Sequence, residues 1–347
     1  MINNPKKYSP KGGGSNPLDR ISKDSISNSS KANVKSTNVE PVNLSDRKSF
    51  SDELNLTELA QYFSSLDQKG FDATIIPIGF PAAGKSMLLS SLLWYAQKGE
   101  PPFSQDILDS EYFREGSIVL RNMVDRFSTN GSLYQTTAKG TLDLIGIDIT
   151  PLKSSIPPIR LAFLDLAGED VKNIDTLNGG KFTAKIDAVL NGLQINKSPV
   201  IFALITPYTP ARYSTDSRVS DTEGHMREDA LHHSFLNYLE QHQPNLIASS
   251  KIFIIVSQWD KNPNPNLKVE EYIRLNRQSV YNYIQNKDVI YGHYSIGRIL
   301  NQQENNGATT QRIAFRDRSS PYKLWKEIYF QIVSKDLDKK PWWKRIF

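Results

Sequence analysis

The sequence predicts an α/β fold: a mostly parallel central sheet with helices over both faces, three layers in all. Three observations carry this. From residue 72 onward, strand-length apolar segments alternate with helix-length ones, the pattern of β-α-β units. The strand segments are continuous apolar runs, Val200–Ile205 among them, as strands buried on both faces require. No apolar run approaches the roughly 20 residues of a membrane-spanning helix, so these segments are expected to form a soluble core.

Residues 1–50 read as a disordered basic tail. Twenty-four of the fifty are Ser, Asn, Gly or Pro, and such a segment buries too little apolar area to offset the entropy of ordering. It holds nine Lys/Arg and four Asp/Glu, which accounts for the whole net charge of +5; the other 297 residues carry 33 of each sign. A neutral domain offers no basic track, so nucleic acid is not an expected partner. Cysteine is absent, which excludes disulfides, thiolate metal sites and cysteine nucleophiles and fits a cytoplasmic setting. The N-terminus lacks the apolar stretch of a secretory signal.

The domain is expected over 51–337. It opens with a short helix, where Ser51 and Asp52 can cap and Leu54, Leu56, Leu59, Tyr62 and Phe63 share one face. Thr74–Ile78 is an apolar strand and Ser86–Gln97 a leucine-rich helix. Residues 99–141 form a long connection, of a length that is usually functional. Leu142–Ile149 and Arg160–Leu164 are strand-like, Phe182–Leu193 helical, and Val200–Ile205 a β-branched strand. An insertion over 207–245 contains a long polar helix, Glu223–Glu240. Then come a strand at Lys251–Val256, a helix at Val269–Gln285, a short strand at Val289–His293 and an amphipathic helix at Tyr322–Val333. Residues 338–347 form a second tail.

In open α/β sheets, chemistry sits at the carboxyl ends of strands. After the first strand stands Gly79-Phe80-Pro81-Ala82-Ala83-Gly84-Lys85-Ser86, a complete G-x-x-x-x-G-K-S phosphate loop in strand–loop–helix context. Gly79 and Gly84 let the chain wrap closely around phosphates. The amides of Ala82, Ala83 and their successors point at the anion, as does the helix N-terminus. Lys85 reaches the β and γ phosphates and the Ser86 hydroxyl ligates Mg²⁺. Met87, next in the chain, completes the expected contacts. Pro81 departs from a glycine-rich loop: it lacks an N–H and adds bulk near the γ phosphate.

Asp165-Leu166-Ala167-Gly168-Glu169 follows the strand at 160–164. Asp165 can hold Mg²⁺ directly or through water, and Gly168 can present its amide to a γ phosphate. Glu169 stands where a water-positioning side chain is needed, so Lys85, Gly168 and Glu169 are the expected catalytic set. Ser257-Gln258-Trp259-Asp260 follows the fifth strand. The Asp260 carboxylate can accept two hydrogen bonds from guanine, a donor pair that adenine lacks; alternatively it caps the next helix. After the sixth strand, Ser295 and Ile296 form a turn able to offer an amide to the guanine oxygen.

These stations, in this order, resemble the translation-factor-like class of P-loop GTPases, with a Ras-like fold, over roughly residues 72 to 337. Gly79–Ser86 looks like the first motif of the class, Asp165–Gly168 the third, Ser257–Asp260 the fourth and Ser295–Gly297 the fifth. Asp165-Leu166-Ala167-Gly168-Glu169 looks most like bacterial double-GTPase-type domains. In the fourth motif Ser257-Gln258 replaces the usual Asn-Lys, so Gln258 stands where the class has a base-stacking lysine. The resemblance implies a loop threonine on Mg²⁺; Thr136, Thr137 and Thr141 all lie in the right connection, and Thr137 is the candidate metal ligand beside Ser86 and Asp165. Arg114, Arg121 and Arg126 lie in the same connection, with none assignable as an arginine finger.

The implied function is a Mg²⁺-dependent switch that binds GTP or GDP and hydrolyses GTP slowly. An ATPase on the same scaffold is one alternative, suggested by the lost Asn-Lys pair. A non-hydrolysing nucleotide-binding scaffold is another, suggested by Pro81 and Glu169. Glu223, His225, Glu228, Asp229, His232 and His233 read either as a polar exposed helix or as metal ligands, with the exposed helix expected. Lys339–Phe347 combines four basic and four large apolar side chains, suited to a protein partner, to folding back on the domain, or to a membrane surface.

Overall fold

The computed structural model describes residues 54–98, 104–109, 122–125, 127–128, 142–153, 155–174, 180–209, 222–303, 309–335 and 337. Within them a seven-stranded sheet runs in the order β2-β3-β4-β1-β5-β6-β7. Its strands are β1 (Ala73–Ile78), β2 (Ser104–Asp109), β3 (Leu142–Pro151), β4 (Ile159–Leu166), β5 (Val200–Pro207), β6 (Lys251–Ser257) and β7 (Val289–His293). From β4 to β7 neighbouring strands are parallel. β3 runs antiparallel to both β2 and β4; between β3 and β4 the short 152–158 connection cannot make the crossover that a parallel pair needs.

Alternation along the strands divides the core in two. Ile75, Ile147, Phe163, Ile201, Ile205 and Ile255 face one side. There they meet α2 (Lys85–Lys98) and α9 (Ser319–Val333) through Leu88, Leu92, Leu324, Trp325 and Ile328. Ile76, Leu144, Leu164, Phe202 and Ile254 face the other side. That face is covered by α1 (Leu56–Ser64), α4 (Ala184–Ile195), α5 (Thr222–His242), α7 (Val269–Asn276) and α8 (Gln278–Ile284). Two short helices, α3 (Gly168–Val171) and α6 (Pro244–Ser249), lie between the longer elements. The expected three-layer α/β fold is therefore present. No helix among the described residues is long and apolar enough to cross a membrane.

Several elements differ from their sequence readings. The first helix is capped by Asn55, whose Oδ1 accepts from the Thr57 and Glu58 amides at 3.0 Å while Glu58 accepts from the Asn55 amide at 2.9 Å; Ser51 and Asp52 lie outside the described residues. The 99–141 connection contains the edge strand β2, whose only adjacent apolar pair is Ile107-Leu108, too little to register as a run. The helix expected over 269–285 breaks at Arg277, at φ −139° and ψ 60°. The Asp229 carboxylate of α5 then caps α8, accepting from the Ser279 and Val280 amides at 2.9 Å. Beyond β7 lies an unanticipated hairpin, β8 (Gly297–Gln303) and β9 (Thr309–Arg316). Its run Asn301-Gln302-Gln303 gives no apolar alternation to read. Arg316 ties the hairpin to the helical residues 127–128, donating to the carbonyls of Phe127 (2.6 Å) and Ser128 (2.7 Å).

Candidate nucleotide-binding site

The loop Gly79–Gly84 leaves β1 at Ile78 and enters α2 at Lys85. Gly79 lies so close to β5 that a β-carbon there would stand 2.6 Å from the Ile205 carbonyl oxygen. Gly84 adopts φ +94°, which suits glycine, and Ala82 adopts φ 63°, a left-handed value that costs an alanine energy. Lys85 is buried, and its Nζ donates to the carbonyls of Gly79 (2.8 Å) and Phe80 (3.1 Å). The ammonium thus occupies the concave centre of its own loop. Ala83 faces inward: its N–H donates to Phe80 O at 3.2 Å and its carbonyl accepts from Ser257 Oγ at 2.7 Å. Ser86 and Met87, half-buried, form the first turn of α2, where unpaired amides and the helix dipole favour an anion. The Met87 carbonyl accepts from Tyr294 Oη at 3.2 Å.

Beside this loop, β4 delivers Asp165, 1% exposed, and then Gly168. The glycine packs directly on the 79–85 loop. A β-carbon on it would lie 2.6 Å from Pro81 N, 2.9 Å from Phe80 C and 2.9 Å from Lys85 Nζ. The backbone of Glu169 belongs to α3; its side chain, like Thr136, Thr137, Thr141, Arg114, Arg121 and Arg126, lies outside the described residues.

At the ends of β6 and β7 the remaining stations meet. The Trp259 amide donates to Tyr294 O at 3.1 Å, and the Tyr294 amide to Val256 O at 2.8 Å, stitching Val256 and Trp259 to Tyr294. Gln258 sits in the left-handed region at φ 54°, and its Oε1 accepts from Lys261 Nζ. Asp260 is exposed, while Ser295 and Ile296 are half-buried. Trp259, unremarked in the sequence, wedges this corner in place. Its indole stacks on His293 (5.5 Å, 24°) and takes the edges of Tyr208 (5.5 Å) and Tyr272 (6.0 Å). Burial holds the His293 imidazole below its ordinary pKa.

A buried polar cluster below the loop corrects the reading of α5 as an exposed polar helix. Leu231, Phe235, Leu236 and Leu239 are core residues, and His232 is 3% exposed. Arg277, 1% exposed, donates to Glu228 Oε2 at 2.9 Å and to Thr206 Oγ1 at 2.8 and 3.1 Å. Thr206 in turn donates to Glu228 at 2.5 Å. Burial raises the Glu228 pKa, with Arg277 pulling the other way. Burial, with Arg277 adding to it, lowers that of His232 to about 4. No local pattern announces this cluster, because Thr206, Glu228 and Arg277 come from three distant elements. Among the described residues no group of three or more His, Asp or Glu could hold a metal ion.

No protein-family model matches the chain, and no curated protein matches it in sequence. Among solved structures it is similar to nucleolar GTP-binding protein 1 of Plasmodium falciparum, with 12% identity over 65% of this chain and 78% of that chain and a TM-score of 0.29. It is also similar to the signal recognition particle receptor SRb-GTP/SRX complex of Chaetomium thermophilum, with 15% identity over 74% of this chain and 97% of that chain and a TM-score of 0.34. Likenesses at this level carry no argument about activity.

Proposed function

We propose that Gly79–Ser86 binds the phosphates of GTP with Mg²⁺, and that the chain hydrolyses GTP slowly as a regulatory switch. The observation that carries this reading is the joining of a buried lysine, a loop of main-chain amides and Gly168 at the carboxyl ends of β1 and β4. That combination suits a polyanion whose terminal phosphate is sensed by a second loop. The donor set also suits Mg²⁺, which prefers one or two protein oxygens plus phosphates and water to an all-protein cage. Ser86 and Asp165 would hold it, with Thr137 the loop candidate. Bound there, Mg²⁺ would neutralise charge on the β and γ phosphate oxygens.

In the proposed reaction, water attacks the γ phosphorus and the bond to the β–γ bridging oxygen breaks, leaving GDP and phosphate. Lys85 and the loop amides stabilise the charge that develops on the phosphoryl oxygens. Gly168 presents its amide to the γ phosphate, and Glu169 orients the water. Asp260, exposed just beyond the end of β6, reads the guanine edge.

Calorimetry with GTP and ATP in Mg²⁺, on the wild type and Asp260→Ala, tests the binding claim. A GTP preference that disappears in the variant is expected; uptake of neither nucleotide overturns it, and an ATP preference unchanged by the variant assigns the site to ATP. Single-turnover phosphate release tests hydrolysis, with Lys85→Ala as the silent control. Saturated wild type that releases nothing over hours would leave a nucleotide-binding scaffold instead.

A further inference from the structure

We propose that Trp259 is the positioning residue for base recognition: the aromatic clamp around its indole fixes where the Asp260 carboxylate stands relative to the 79–84 loop. The inference rests on reading Gly79–Ser86 as the phosphate site and Asp260 as the reader of the guanine edge.

Asp260 does not hold its own position. Its side chain is exposed, and it belongs to a single 3₁₀ turn, Trp259–Lys261, too short to be rigid by itself. The residue before the turn, Gln258, sits in the left-handed region at φ 54° and ψ 32°, a conformation that its surroundings must impose on a residue with a β-carbon. Trp259 supplies those surroundings. Its indole lies nearly flat on His293 of β7, at 5.5 Å and 24°. Tyr208, just past β5, and Tyr272 of α7 meet it edge-on at 83° and 89°, a geometry that ring quadrupoles favour. The two tyrosines pack on each other at 5.1 Å, so the clamp closes on itself. Main-chain bonds run through the same corner: the Tyr208 amide donates to Ser257 O at 2.7 Å and the Trp259 amide to Tyr294 O at 3.1 Å.

The turn is also tied to the 79–84 loop. Ser257, two residues before Trp259, donates from Oγ to Ala83 O at 2.7 Å. One anchor therefore registers the segment against the loop, and the other, the indole, sets the direction in which the next residue leaves. A carboxylate that accepts two hydrogen bonds from one base edge needs both, because such bonds weaken steeply out of line. Packing alone would make loss of the indole felt by every nucleotide. A positioning role makes it felt by guanine nucleotides alone.

Calorimetry on the full chain with GTP and with ATP, in Mg²⁺, separates the two. Trp259→Leu is expected to weaken GTP about tenfold, the equivalent of one hydrogen bond to a charged group, and to leave ATP unchanged, since adenine offers Asp260 no matching donor pair. Trp259→Phe, which keeps a ring to stack on His293, is expected to recover most of the GTP loss. A folded Trp259→Leu with the wild-type ratio of GTP to ATP affinity overturns the proposal while leaving the nucleotide site intact. A wild type that binds neither nucleotide, or GTP no better than ATP, removes the reading beneath the proposal and the proposal with it. Hydrogen exchange on the wild-type chain covers the case in which the leucine variant does not fold. GTP is expected to slow exchange at the Tyr208, Trp259 and Tyr294 amides more than ATP does, since coupling between a bound base and its clamp is reciprocal. Equal slowing by the two nucleotides overturns the proposal.

Discussion

Gly168 and Lys85 follow different strands yet meet so closely that a β-carbon on the glycine would stand 2.9 Å from the lysine Nζ. The same carbon would lie 2.6 Å from the Pro81 nitrogen, which cannot yield as a flexible side chain could. Gly168→Ala is therefore expected to push the 167–170 loop off the phosphate loop. GTP affinity should fall about tenfold or more while GDP affinity changes little, because the glycine lies where a terminal phosphate would be sensed. Paired titrations with the two nucleotides check this; an equal loss for both would show that the substitution had only distorted the phosphate loop.

Ser257 braces the same loop from β6, its Oγ donating to Ala83 O at 2.7 Å. Both groups are buried. Removing the hydroxyl leaves a buried carbonyl short of a partner, at a cost of about 1–3 kcal/mol. Ser257→Ala is expected to lower stability by that amount in urea unfolding and to weaken GTP and GDP alike. Nucleotide affinity equal to that of the wild type would show that the brace does not reach the amides.

Helix α1 crosses α4 at Gly192. A β-carbon there would lie 2.4 Å from Ala60 O and 2.8 Å from Phe63 Cβ. Gly192→Ala forces the helices apart and partly uncovers Leu59 and Phe63, both fully buried. Overpacking of this kind costs about 1–3 kcal/mol, so the urea midpoint should drop accordingly. An unchanged or higher midpoint would show that α1 shifts freely over α4.

The buried His232 predicts an acid-sensitive fold. Its pKa stands at about 4, lowered by burial and by the charges of Arg277 and Lys85, against the Ile78 bond and the charge of Asp229. In the unfolded chain it returns to about 6.5. Above both values the ring is neutral in either state and stability is unaffected. As pH falls from about 6.5 towards 4, the unfolded chain takes up the proton first, and stability drops by up to about 3 kcal/mol. Glu228 works in the opposite sense, since burial raises its pKa. Urea unfolding of the wild type and His232→Leu at about pH 7 and about pH 5 isolates the histidine: the variant should lose less stability on acidification. Parallel losses would sink the assignment.

The turn between β1 and α2 was legible in the chain because it is local. Gly79 to Ser86 are contiguous, and a strand before them and a helix after them suffice to define the loop. Asp165 and Gly168 were readable for the same reason, three residues apart at the end of an apolar strand. The hairpin at 297–316 was not, because its polar runs carry no apolar period. Trp259 was not either, since nothing in Gln258-Trp259-Asp260 says that His293, Tyr208 and Tyr272 will surround the indole.

Sequence alone determined the layered α/β fold and the strand ends at which the candidate site residues stand. Apolar runs must be buried and glycine turns must close tightly, whatever lies elsewhere in the chain. Only the tertiary structure decided which face of α5 is buried, where α7 gives way to α8, and that Thr206, Glu228, His232 and Arg277 share one cluster under Ile78. Those outcomes depend on matching buried donors and acceptors across distant segments, and a match of that kind exists only once the strands and helices have packed.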